Sequence, residues 1–76
     1  MDEIQTNPNI LGGTPVFKET RVPVETLFDY LEEGASINTF LKDYPTVKRE
    51  QAIAVLEVAG NVVSSQDFKT KYEATP

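Results

Sequence analysis

Three cations lie close together in the middle of the chain. Lys42, Lys48 and Arg49 flank Tyr44-Pro45 in the stretch KDYPTVKREQ. Lysine and arginine at such a joint can neutralise phosphate, and Gln51, two residues on, carries an amide of the kind that reads base edges. If the flanking segments are helices, the joint has the layout of a helix-turn-helix. The second helix of that motif enters the major groove by its N-terminal turn. The same charges can equally decorate a solvated turn and serve only solubility. On the residues alone both readings stay open.

Other chemistries are excluded more firmly. The 76 residues include no cysteine and no histidine. Cysteine nucleophiles, histidine bases and the usual transition-metal ligand sets are therefore absent. Glu32 and Glu33 are sequence neighbours, which do not share a helix face, so they make no acid–base pair. Gly12-Gly13 lacks the Lys-Ser/Thr ending of a phosphate loop and does not open directly into a helix. The chain reads as no enzyme, with no cofactor and no metal. The polar start MDEIQTNPN is unlike a secretory signal, and apolar runs such as AIAVL are too short to span a membrane. A soluble cytoplasmic protein is expected, with no membrane association.

Charge is unevenly spread. Seven basic and twelve acidic residues leave a net charge of −5. Residues 1–41 alone carry −5, residues 42–49 carry +2, and residues 50–76 carry −2. The joint is the basic island of an acidic chain, and the overall charge opposes nonspecific binding to nucleic acid.

The elements that must position the island follow from periodicity. Residues 1–9 read as irregular, with Pro8 between two asparagines marking a turn. In ILGGTPVFKETRVPV, Val16-Phe17 and Arg21-Val22 surround Lys18-Glu19-Thr20, which predicts a short hairpin or β-arm. Val24, Leu27, Phe28 and Leu31 recur at helical spacing, with Pro23 in the first turn and Gly34 at the end. Ser36 is a good N-cap for a second helix bearing Ile37, Phe40, Leu41 and Tyr44, stopped by Pro45. A third helix begins near Lys48, with Ala52, Leu56, Ala59 and Val63 as its central stripe, widened by Val55 and Val62. Gly60 either ends it early or admits a close neighbour. The predicted fold is mainly α: a three-helix, homeodomain-like helix-turn-helix core with a short N-terminal β-arm. One domain spans residues 10–63, and residues 64–76 form a polar tail expected to fray, in which Phe68 and Tyr72 could order on a partner.

The pieces Gly12-Gly13-x-Pro15, Thr20-Arg21-Val22-Pro23-Val24 and Asp43-Tyr44-Pro45, in this order, resemble the domain-of-unknown-function family 433 of bacteria and archaea. Pro8, Ile10, Gly34 and Ser36 also match, and the likeness runs over about residues 7–59. The resemblance implies a homeodomain-like three-helix fold with an N-terminal β-arm, often dimeric, described as antitoxin-like beside a nuclease-like toxin of the PIN type. Three positions depart from the pattern. Glu19 stands where glycine is preferred, and a positive φ there would cost about 1 kcal/mol. Lys48 stands where threonine often caps the third helix, and Asn7 replaces aspartate, which keeps turn chemistry.

The outer side of the third helix weighs against DNA reading. Opposite the apolar stripe lie Glu50, Ala54, Glu57 and Asn61, and glutamates repel phosphate. Contact would fall to Lys42, Lys48 and Arg49, with Gln51 the nearest base reader. Three cations per chain, doubled in a dimer, give a salt slope of at most about −5. Arg21 could contact DNA or a protein partner, but pairing with Glu19, Glu25 or Asp29 is the preferred reading. A two-stranded arm leaves unpaired edges, so a homodimer through the arm is expected. The leading expectation is an antitoxin-like dimeric module that binds a toxin of the PIN type through the tail or arm (Phe68, Tyr72, Arg21), with duplex operator DNA at the joint as a further candidate rather than a requirement. The alternative is an interaction or dimerisation module with no DNA role.

Overall fold

The computed structural model describes residues 3–9 and 11–65. Two strands, a 3₁₀ turn and three α-helices follow in order: β1 (Ile4–Gln5), the turn at Leu11–Gly13, β2 (Val16–Phe17), α1 (Val24–Glu32), α2 (Ile37–Asp43) and α3 (Arg49–Val63). The fold is mainly helical, with three helices and a short antiparallel arm, as the sequence predicts. Among the described residues no helix is long and apolar enough to cross a membrane.

The arm is larger than the sequence implies. Ile4 pairs with Phe17 and Gln5 with Val16, so part of the stretch expected to be irregular forms β1. The expected hairpin around Lys18-Glu19-Thr20 also forms, through a bridge between Val16 and Pro23 and a 3.0 Å bond from Phe17 N–H to the Val22 carbonyl. β2 thus lies between two neighbours. Val16 and Phe17, which alternate sides as strand residues do, are both 0% exposed, and Phe17 is the one that joins the main core. The Gln5 side chain adds a further tie, accepting the Glu19 N–H at 2.7 Å.

The hairpin turn is built around Glu19. Thr20 N–H closes the turn on the Phe17 carbonyl at 3.0 Å, and the Thr20 hydroxyl donates to the same oxygen at 2.8 Å. Glu19 takes φ 61, the only positive φ of a non-glycine among the described residues. The turn does need the left-handed conformation that glycine would supply freely, so Glu19 carries about 1 kcal/mol of strain.

The helices begin and end where local chemistry dictates. Pro23 is the residue before α1, with φ −61 and ψ 138, rather than part of its first turn. Gly34, at φ 88, closes α1: its N–H meets the Leu31 carbonyl at 3.0 Å and Ala35 N–H meets the Tyr30 carbonyl at 2.9 Å. This 5→2 and 6→1 pair is a Schellman stop. Ser36 caps α2 by accepting the Thr39 N–H at 3.1 Å. Pro45 follows Tyr44, which leaves the helix at φ −125 and ψ 71. α3 runs on past Gly60 to Val63, so Gly60 does not end the helix, and among the described residues none packs closely on it.

One core joins these pieces. Phe17, Val22, Leu27, Phe40, Val47, Ala52 and Val55 form it, with Val24, Phe28, Leu31, Ile37, Leu41 and Tyr44 packed against it. Phe40 is the hub: its ring lies 5.9 Å from Phe17, 5.5 Å from Tyr30 and 5.2 Å from Tyr44. Each tilted or edge-on contact adds about 0.5–1.5 kcal/mol beyond area burial. The apolar stripes of α1 and α2 are those read from periodicity. α3 differs: its buried residues are Gln51, Ala52 and Val55, whereas Val62 and Val63 are 56% and 55% exposed. The core covers the first half of α3, and the last turn projects beyond it.

Candidate interaction surfaces

α2 and α3 meet at the basic joint. Lys42, Lys48 and Arg49 are all exposed. Lys42 sits in the last turn of α2, where its charge complements the helix dipole. The Arg49 guanidinium donates through Nη2 to Asn38 Oδ1 on α2. This bond ties the start of α3 to the preceding helix and occupies part of the fork that phosphate would use.

Gln51 lies inside rather than on the reading face, which corrects its expected place among the base-contact candidates. It is 8% exposed. Its Oε1 accepts the Lys48 N–H at 2.9 Å, and its Nε2 donates to the Lys18 carbonyl at 3.1 Å. An ammonium group has no lone pair for the reciprocal bond, so Lys48 supplies only half of a capping box. The Lys48-x-x-Gln51 spacing was the available signal for this role.

Around Lys48 the charges are mixed. A cleft of about 320 Å³ between the arm and the start of α3 is lined by Glu3, Glu19 and Glu50 as well as by Lys18 and Lys48. A phosphate placed there would meet three carboxylates and two ammonium groups. Farther along α3, Glu57 and Asn61 are exposed, and so is Ile53, which is 41% exposed. Ile53, Val62 and Val63 are the exposed large apolar side chains of the described residues, and all three belong to α3.

A second groove, of about 590 Å³, lies on the other side of the arm's turn. Val22, Pro23 and Tyr44 give it apolar walls, and the exposed Glu19 and Arg21 both line it. The expected pairing of Arg21 with Glu19, Glu25 or Asp29 is not formed among the described residues. Periodicity could not reveal this groove, because it joins residues 5 to 23 with residues 44 to 46 across the fold.

On the far side of the joint, Tyr30 Oη donates to Asp43 Oδ2 at 2.6 Å. That bond, with partial burial and the negative charge of Asp43, pushes the Tyr30 phenol up to about 12. The contact locks the end of α2 to α1. Phe68 and Tyr72, the aromatic candidates for partner contact, lie outside the described residues.

Comparison with known proteins adds a family. A family model described as "Protein of unknown function (DUF433)" matches residues 4–59. An uncharacterized protein, y4eO, from Sinorhizobium fredii (strain NBRC 101917 / NGR234) is 38% identical over 48 residues. Those residues are 63% of this chain and 22% of that relative, so the chain spans less than a quarter of that protein's length. A crystal structure of a DUF433 member protein from Anabaena variabilis ATCC 29413 superposes with a TM-score of 0.69 at 27% identity, covering 93% of this chain and 68% of the other.

Proposed function

The chain belongs to the DUF433 family, and from that premise we propose that it is a non-enzymatic, dimeric protein-interaction module of the antitoxin-like kind, whose third helix engages a protein partner. The observation that carries this reading is the surface of α3. Its exposed positions hold Glu50, Ile53 and Glu57, then Asn61, Val62 and Val63. Ile53 lies on one side of the helix and Val62 and Val63 lie in its last turn, and exposed apolar side chains of this kind suit a protein interface, where apolar burial drives association. Glutamates on the outer side discourage phosphate. A toxin of the PIN type is the partner class that the family resemblance suggests.

A second reading, operator binding, is favoured by one feature: Lys42, Lys48 and Arg49 are exposed together where α2 gives way to α3. It has to overcome the carboxylates beside Lys48 and the internal commitment of Gln51. Titration with duplex DNA at low and at moderate salt separates the two. The protein-interaction reading expects no saturable binding at low salt. Binding that weakens steeply with salt and is lost in the Lys48→Glu, Arg49→Glu double variant would establish the DNA reading instead.

A further inference from the structure

Glu19 and Arg21 pose a question that the fold leaves unanswered. Both are exposed, both line the groove walled by Val22, Pro23 and Tyr44, and neither side chain has a hydrogen bond or ion pair among the described residues. Glu19 also holds a left-handed backbone at φ 61. An anion and a cation, two residues apart, thus border one apolar groove without using each other.

We propose that this groove seats the same arm of a second copy, with Glu19 of each chain paired to Arg21 of the other. The inference rests on the dimeric reading above and adds the surface and the pairing. Charge complementarity singles out a second copy. A two-fold axis brings one patch against itself, so residue i meets j while j meets i. A patch with one carboxylate and one guanidinium is complementary to its own rotated image. A strongly basic or acidic partner would satisfy only one of the two groups. Two chains of net charge −5 repel each other overall, but the charged residues lining this groove cancel. Apolar walls beneath the pairs keep them partly dry, which strengthens attraction between opposite charges. Val22, Pro23 and Tyr44 are then covered by the arm of the second copy.

Sedimentation equilibrium of the full chain tests this, with Glu19→Arg, Arg21→Glu and an equimolar mixture of the two. Circular dichroism checks that each variant is folded. Each single variant places like charges at both symmetric contacts, so self-association should weaken by about tenfold or more. In the mixture every introduced charge faces its opposite, and a mixed dimer should form nearly as well as the wild type. A mere net-charge effect behaves differently, because it moves the two single variants in opposite directions. A wild-type dimer indifferent to both substitutions overturns this groove while leaving the dimeric reading in place. Weakening without recovery in the mixture overturns the pairing. A wild-type chain that stays monomeric at all concentrations overturns both.

Discussion

The Gln51 side-chain amide donates to the backbone carbonyl of Lys18, 33 residues earlier, at 3.1 Å. The bond fixes the start of α3 against the turn of the β-arm. The same side chain caps its own helix through the Lys48 N–H. One glutamine thus sets where α3 begins and how the arm lies against it. Lys18, Lys48 and Gln51 all line the cleft between the arm and the start of α3, so that junction forms one of its walls.

Replacing Gln51 by alanine removes both bonds and leaves the Lys18 carbonyl and the Lys48 N–H without their partner. The loss should be about 1–3 kcal/mol of stability, read from urea unfolding. Gln51→Glu keeps an acceptor for Lys48 but has no donor for Lys18, so part of the loss should remain. Wild-type stability in Gln51→Ala would contradict the junction.

Glu19→Gly should stabilise the folded monomer. Glycine adopts φ 61 without the Cβ penalty, which returns about 1 kcal/mol, less the extra entropy glycine gains when unfolded. Thermal unfolding at low protein concentration, where association does not contribute, should show a rise of a few degrees. The same substitution should weaken self-association, because one partner of each interchain pair is gone. A lower melting temperature would mean that the turn is not strained.

Tyr30 supplies a pH dependence of known sign. Its phenol is raised in the folded protein to about 12 from the ordinary 10.0, chiefly by the bond to Asp43. A raised phenol pKa means that the folded state favours the neutral form. The stabilising effect is complete below pH 10 and fades as pH climbs from 10 through about 12. Ultraviolet titration should reveal a late phenolate step, and Asp43→Asn should move it down. A late step unchanged in Asp43→Asn would show that the Asp43 bond is not its cause.

How much of this was legible follows from what each signal measures. The stripes of α1 and α2 repeat every third and fourth residue, and Leu27 and Phe40 duly sit at 0% exposure. Ser36, Gly34 and Pro45 mark boundaries through purely local chemistry, and those boundaries hold. β1 escaped notice because two residues are too few to show alternation. Val62 and Val63 fit the stripe of α3, but periodicity reports only which side of a helix is apolar. It does not say where the rest of the fold ends, and the core stops short of them. Gln51 differs for the opposite reason. Polarity alone points to the surface, whereas the helix start and the arm carbonyl together satisfy both ends of its amide. The groove beside Glu19 and Arg21 depends on tertiary neighbours that no local pattern encodes.

The claim that α3 is a protein-binding helix is tested most directly by calorimetric titration of the purified chain with the product of the adjacent gene, using wild type and Ile53→Asp. Ile53 is 41% exposed, so the substitution should leave the fold intact. The account predicts saturable binding to the wild type and at least a tenfold loss in the variant, about 1.4 kcal/mol or more. Binding of equal strength by both proteins, or none by the wild type, would contradict it.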